Sequence, residues 1–445
     1  MALKPSRRGL RNLSSNHEVN YDNDLRGVTY YDPISNPHGL IDISGASNEL
    51  TRDILKDYSE QYSKIFSLSD AQPPQALTYG GVTGPPELNQ AMSTFFNDWF
   101  KPARLVQESH IITTNGVSGL IDMLAFNVCD HGDGILLPSP NYSMLERDLG
   151  ARAGVAIIPV HTRSVEDQFS ADRSSDFIHV LEAAYHDAAR RGIRAKAVFL
   201  TNPSNPVGRF YSEKTLLEVA KLCGRLSLHL IADEIYALSG FDVNGPGHLP
   251  GFTSVLSIAD SSKDGVYSEN IHSLYGVSKD WGMGGLRLGF LVSLDLLMLT
   301  FPSGLFTWVT HFSTQFWLDF VSNEEVVSRY VQCNRDRLRE RYQAVTALMD
   351  RHGVPYVPSN GGIFIYVDLR RWLKYFDGPD GTSNGGDTRE TQLCRYLIRH
   401  GIYMTNGELC FSSIPGYFRF VYTSPNDEAF VAVQRIRDAF HVNGE

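Results

Sequence analysis

The sequence predicts an α/β protein: a large domain with a mostly parallel sheet flanked by helices, plus a smaller α+β domain from the N- and C-terminal segments. Three observations predict it. Between about residue 110 and residue 295, short apolar runs alternate with stretches of helical pattern. The runs are continuous rather than alternating in polarity, as in strands buried on both faces. Polar motifs follow the runs one after another, at the strand ends where ligands gather in parallel sheets.

Taken in order, residues 1–27 are polar and read as a flexible N-terminal tail. Residues 28–60 read as the first part of the small domain, 61–320 as the large cofactor-binding domain, and 321–445 as the C-terminal small domain. Ile111-Ile112-Thr113 is a strand that passes through Gly116 into a helix from Ser118 to Val128. Gly134 to Leu137 runs into Pro138-Ser139-Pro140, and Ala197 to Leu200 into Asn202-Pro203-Ser204-Asn205-Pro206. Leu228 to Ala232 runs into Asp233-Glu234-Ile235-Tyr236, and Asn270 to Leu274 into Tyr275-Gly276-Val277-Ser278-Lys279. Residues from about 311 to 350 are helical, with Glu340 near Arg337. Gly362 to Val367 and Tyr417 to Tyr422 are strands of the second domain, and Asp377 to Asp387 is a Gly-, Asp- and Ser-rich surface loop.

The totals narrow the function. At 445 residues, 42% hydrophobic and 20% charged, the chain can bury a large core. A formal net charge of −10 speaks against the basic surface of a nucleic-acid binder. The most apolar window, Phe290 to Val309, is interrupted by Asp295, Pro302 and Gly304, so it reads as a core strand and then a helix or loop, with no membrane span. The basic start, Met1 to Arg8, has no apolar stretch behind it and is not read as a secretory signal. The five cysteines have no metal or redox spacing and fit a reducing, cytoplasmic setting.

Lys279 carries the chemistry. A lysine at a strand end, beside small residues and the Ser278 hydroxyl, suits a covalent link to an aldehyde cofactor. Arg287, eight residues on, suits a phosphate. Pyridoxal 5′-phosphate (PLP) needs both. Asp233 is an ordinary helix N-cap if taken alone; beside Lys279 and Arg287 it is the carboxylate beneath a pyridine nitrogen. Tyr236 and Asn205 are equally a core tyrosine and a turn asparagine, or partners of a ring hydroxyl. Tyr142 either packs in the core or stacks on the pyridine. Gly116-Val117-Ser118 opens a helix whose first amides suit a phosphate. Arg419 suits a two-pronged clamp on a substrate carboxylate, the alternative being a surface strand arginine. His229, at an apolar strand position, reads as a core histidine.

Together these motifs resemble the fold-type I PLP enzymes of the aspartate aminotransferase-like group. Within it the chain is most similar to 1-aminocyclopropane-1-carboxylate (ACC) synthases and their fungal relatives. The stretches that carry the resemblance are Asn36 to Asp42, Thr201 to Gly208, Val277 to Asp280 and Pro415 to Arg419. The resemblance implies that Lys279 bonds the cofactor and moves the proton at Cα. It implies that Asp233 meets the pyridine nitrogen, that Asn205 and Tyr236 meet the ring oxygen, and that Tyr142 stacks on the ring. Gly116, Val117, Ser118, Ser278 and Arg287 would hold the phosphate, and Arg419 the substrate carboxylate, with Asn205, Ala46 and Ser47 on the substrate side. Tyr79 resembles the tyrosine that reaches the partner subunit's phosphate, which implies a homodimer with shared sites.

Three departures from that family matter. Its Gly-Leu-Ala-Glu-Asn stretch is Ser44-Gly45-Ala46-Ser47-Asn48 here, so no glutamate faces a sulfonium cation. Its Tyr-His-Gly is Val82-Thr83-Gly84, and the serine usual three positions before the lysine is Gly276. The first two point away from ACC synthesis. The resemblance therefore implies a carbon–sulfur lyase acting on a cysteine-type conjugate in secondary metabolism. An aminotransferase, an ACC synthase using S-adenosylmethionine, and a non-catalytic PLP-fold protein are the alternatives.

Overall fold

The computed structural model describes residues 21–62, 81–242, 249–295, 299, 308–377 and 387–441. The short strand β1 (Ile41–Asp42) comes first in the chain. The strands β2 (Ile111–Thr114), β3 (Gly134–Ser139), β4 (Ala156–His161), β5 (Ala195–Thr201), β6 (His229–Asp233), β7 (Ile271–Gly276) and β8 (Gly289–Ser293) follow. These seven form one sheet in the order β2-β8-β7-β6-β5-β3-β4. Within it only β8 runs against its neighbours, pairing antiparallel with β7 and β2. The other ladders are parallel.

The continuous apolar runs have a direct cause. In β3, Ile135 and Leu137 join the core that holds Leu120 and Leu124 of the helix Val117–Val128, while Leu136 joins Phe177 and Leu181 on the other face. In β5, Ala197 and Phe199 face one side and Val198 and Leu200 the other. Successive side chains alternate between two buried layers, so both faces of the strand favour apolar residues. A third, aromatic cluster gathers Phe95, Phe96, Tyr275, Trp281 and Trp317 at the β2–β8–β7 side. There the Trp281 indole N–H donates to the Tyr275 hydroxyl at 2.8 Å, which anchors the turn that carries Lys279.

The small domain is built from both ends of the chain. Strands β9 (Tyr356–Val357), β10 (Phe364–Asp368), β11 (Ile402–Tyr403), β12 (Thr405–Asn406) and β13 (Tyr417–Val421) complete the set. An antiparallel sheet runs β12-β13-β10-β9. β1 pairs in parallel with β11, Ile41 opposite Ile402. Tyr21 falls within the expected loose tail, yet it is 2% exposed and its hydroxyl takes the Asn406 side-chain N–H at 3.2 Å, so packing starts earlier than polarity implies.

The expected helical region is two helices, His311–Val321 and Glu324–Arg351. Asn323 caps the second, its side chain accepting the Val326 N–H at 3.2 Å. Arg337 does not turn to Glu340 as its spacing suggested. Its guanidinium forks onto Asp53, 2.5 and 2.8 Å to the two carboxylate oxygens, and holds that carboxyl down at about 2. A long-range bidentate fit outcompetes a local one. Of the expected loop between Asp377 and Asp387, residues 378–386 lie outside the described residues.

Candidate active site

A cavity of about 170 Å³ opens at the carboxyl edge of the large sheet. It is lined by Val117, Ser118, Ile121, Tyr142, Asn205, Asp233, Ile235, Tyr236, Ser278, Lys279 and Arg287. Each polar member arrives just past a strand end: Ser118 after β2, Tyr142 after β3, Asn205 after β5, Asp233 closing β6, Lys279 after β7. Arg287 comes by a different route. Because β8 runs antiparallel, the residues that precede it lie at the same edge where the parallel strands finish.

Lys279 is partly buried. Its Nζ donates to the Ala46 carbonyl at 2.6 Å. Burial lowers its amine to about 8, with Arg419 and Arg287 adding to the effect and Asp233 opposing it. Asp233 is pushed up to about 7 by burial, against the Ile235 N–H that its Oδ1 accepts at 3.1 Å and the charge of Lys279. No helix begins at Asp233, so its N-cap reading falls away. A buried carboxyl that titrates near neutrality, facing a cavity beside an amine that also does so, suits a group bearing both a basic nitrogen and an aldehyde.

The phosphate end is shaped by close approach. Gly116 has φ 106° and precedes the helix Val117–Val128, whose first two residues line the cavity. A Cβ on Gly116 would lie 2.4 Å from Arg287 Nη2. Arg287 itself adopts the left-handed conformation, φ 53°, at a cost on the order of 1 kcal/mol. Its Nη1 donates to the Gly284 carbonyl at 3.0 Å and its Nη2 to the Asn115 carbonyl at 3.3 Å. The guanidinium is thus tied to the cradle that Gly116 leaves open. A helix start, a serine on each side and a fixed arginine fit a phosphate monoester.

Tyr142 is set by its neighbour. The Asn141 side chain accepts the Tyr142 N–H and the Thr201 hydroxyl, each at 2.8 Å, and donates to the Pro138 carbonyl at 3.1 Å. Burial and the nearby Asp148 push the Tyr142 phenol up to about 12. Tyr236 packs edge-on against Phe364, ring centres 5.0 Å apart, and burial raises its phenol far above the usual range.

Arg419 is 5% exposed, so the surface-arginine alternative fails. Nη1 donates to Asn205 Oδ1 at 3.0 Å, Nη2 donates to the Ser44 carbonyl and, at 3.3 Å, to the Thr405 hydroxyl, and Nε has no hydrogen-bond partner. A buried guanidinium N–H without an acceptor, beside the cavity, suits an incoming carboxylate. Ala46 meets the site through its carbonyl alone. Ser47 is exposed and does not line the cavity; its carbonyl accepts the Thr423 hydroxyl at 2.6 Å. Tyr79 lies outside the described residues.

Several groups escaped the sequence reading. Ile121 and Ile235 line the cavity and look like ordinary core residues in sequence. Glu234, beside Asp233, is fully buried; it accepts the Ser254 and Ser273 hydroxyls at 2.7 and 2.6 Å and the Val255 N–H at 2.8 Å, pinning the end of β6 to its surroundings. Asn48 donates to Asn334, which donates to the Asp280 carbonyl, so the N-terminal segment and the long helix brace the lysine turn. His229 of β6 meets His272 of β7 at 2.9 Å and is a partly buried, hydrogen-bonded histidine of the sheet.

Residues 46–436 match the family model of aminotransferase class I and II. The chain is 30% identical over 415 residues to 1-aminocyclopropane-1-carboxylate synthase 5 of Oryza sativa subsp. japonica, covering 91% of this chain and 74% of that protein. It is 29% identical over 419 residues to 1-aminocyclopropane-1-carboxylate synthase 7 of Arabidopsis thaliana, covering 92% and 88%. Among solved structures, a Thermus thermophilus aspartate aminotransferase mutant superposes with a TM-score of 0.70 at 19% identity over 99% of this chain and 100% of that one. The aspartate aminotransferase of Thermotoga maritima gives 0.70 at 18% identity over the same shares. These two likenesses establish the fold, whereas the match over nearly the whole length establishes descent. The chain belongs to the aminotransferase class I and II family and is an enzyme that uses pyridoxal 5′-phosphate.

Proposed function

We propose that the chain is a PLP-dependent carbon–sulfur lyase that eliminates the sulfur substituent from a cysteine-type conjugate. One observation supports the reading: Lys279, Asp233 and Arg287 share the cavity, while Ser47, where the resemblance to the synthases would put a glutamate, is exposed and off the cavity wall. A neutral thioether at Cβ needs no such anion.

PLP, when bound, supplies an aldehyde that links to the substrate amine and a ring that draws electrons away from Cα. Arg419 would hold the substrate carboxylate and so fix which Cα bond stands perpendicular to the ring. Lys279, with its amine near 8, takes the Cα proton and can return it. Asp233 would keep a proton on the ring nitrogen, Asn205 and Tyr236 would hold the ring oxygen, and Tyr142 would cover the ring face. Gly116, Val117, Ser118, Ser278 and Arg287 would hold the phosphate. Loss of the Cβ–S bond gives a thiol, and water then releases pyruvate and ammonium. Tyr79 supports a homodimer in which each subunit completes its partner's site. We place the enzyme in the cytoplasm. No helix among the described residues is long and apolar enough to cross a membrane.

The test is a panel of cysteine S-conjugates assayed for pyruvate and ammonium. Release from at least one conjugate is expected, and silence across the panel overturns the reading. The likeness to ACC synthases favours a second reading, ring closure on S-adenosylmethionine. Release of methylthioadenosine from that substrate would decide for it. Accumulation of pyridoxamine phosphate with an amino acid alone would mark an aminotransferase instead.

A further inference from the structure

Glu390 is a buried acid that the site description leaves unused. It lies in the first turn of the helix Arg389–Arg399 and is 0% exposed. Its Oε1 accepts the Glu408 backbone N–H at 2.6 Å, and its Oε2 accepts that of Gly416. The titratable groups around it are Glu408, Tyr366 of β10, Cys394 of its own helix and Cys410, and none of these is a cation. Burial, with Glu408 adding, pushes its carboxyl up to about 8. A carboxyl kept in so unfavourable a place demands a use.

The two amides bracket residues 408–416, and that loop touches both halves of the site. At its start, the Cys410 carbonyl accepts the Asn141 N–H at 2.8 Å. Asn141 in turn holds the backbone of Tyr142. At its end, Gly416 leads into β13 and, three residues on, Arg419. Gly416 has φ 97°, and a Cβ there would come 2.9 Å from the Arg370 backbone, so this end fits in one way only.

We propose that Glu390 is a positioning residue that, by gripping both ends of the loop 408–416, sets Tyr142 and Arg419 relative to each other. This rests on the roles given above to Tyr142 and Arg419, though not on the fate of the Cβ–S bond. A carboxyl group offers an acceptor oxygen to each amide. Glu390→Gln keeps one and turns an N–H toward the other, releasing one end of the loop with little change in volume.

The experiment compares native and E390Q holoenzyme by hydrogen–deuterium exchange and by titration with L-alanine, read as the cofactor absorbance change. Exchange at the Asn141 amide and the half-saturating alanine concentration should each rise on the order of tenfold in E390Q. Exchange across residues 229–233 of β6 should stay as in the native enzyme, and the limiting rate of the absorbance change should hold within about twofold. Unchanged exchange at Asn141 with unchanged half-saturation overturns the proposal, as does equal acceleration in β6, which would mean general loosening. If E390Q does not fold, Glu390→Asp, with both oxygens on a shorter stem, carries the same comparison. Alanine has no leaving group, so the result is readable even where every conjugate fails to yield pyruvate.

Discussion

Lys279 Nζ donates to the Ala46 carbonyl oxygen across 2.6 Å, joining two residues that are 233 positions apart in the chain. The contact sets a backbone carbonyl from the N-terminal segment against the amine. The amine meets a neutral carbonyl there rather than a carboxylate, and burial is the largest influence on its titration.

The rate at which added PLP is captured by the apoprotein should therefore rise through pH 8, because the neutral amine is the nucleophile and lies above its folded pKa of about 8. Stopped-flow absorbance from pH 6.5 to 9.5 measures it. Borohydride reduction should fix the cofactor to the peptide containing Lys279. In Lys279→Ala it should fix nothing, and labelling elsewhere in the native chain would displace Lys279 from its role.

Gly116→Ala should weaken PLP binding on the order of tenfold, since it combines a left-handed backbone with a Cβ 2.4 Å from Arg287 Nη2. The thermal midpoint of the apoprotein should change far less than cofactor affinity. Fluorescence titration with PLP separates the two, and native affinity in the variant would refute the proposed cradle.

Restoring the family serine at position 276 should not help. A Cβ there would meet the Leu288 carbonyl at 2.9 Å and Val117 Cγ2 at 3.0 Å. Gly276→Ser should lower the thermal midpoint, with a cost of about 1–3 kcal/mol from crowding, and leave PLP affinity no tighter than in the native protein. A serine variant that binds PLP better would show that the strand pair opens more easily than its packing indicates.

Asp280 is buried, with one oxygen taking the Leu238 N–H at 2.8 Å and the Tyr275 hydroxyl at 3.2 Å and the other without a hydrogen-bond partner. Burial raises its carboxyl from 3.8 to about 7. Between those values the folded protein holds a proton that the unfolded chain has released. The group's contribution to stability is therefore greatest below about pH 4 and is lost as pH rises toward about 7. Asp280→Asn mimics the protonated form and can keep its oxygen on both donors. Its apoprotein should show a shallower fall of melting temperature over that interval. An identical slope in the two proteins would place the titration elsewhere.

How much of this was legible before folding depends on what each residue touches. β2, β3, β5, β6 and β7 announce themselves because both of their faces are buried. β4 does not: it is an edge strand with Pro159 and His161 exposed, so its pattern is broken. The reversed direction of β8, which delivers Arg287, leaves no mark in composition. Lys279, Asp233, Tyr142 and Asn205 are legible as residues after apolar runs and Arg287 as an arginine close behind the lysine, and the structure brings them to one cavity. Arg337 was misread because a neighbour on the same helix is visible in sequence, whereas Asp53, 284 residues away, is not. Asn141, Glu234 and Glu390 were missed for the same reason. Their partners are backbone groups or hydroxyls that only the fold supplies.

The parallel pairing of Ile41 with Ile402 has a consequence for the order of events in the cell. As the chain leaves the ribosome, β1 emerges some 360 residues ahead of the strand it must join. The large sheet, whose strands all lie between residues 111 and 293, can assemble while that first segment waits. The segment bearing Ala46 can then settle against Lys279 only once residue 402 has been made, so this side of the site is completed by a stretch synthesised well before the sheet it meets.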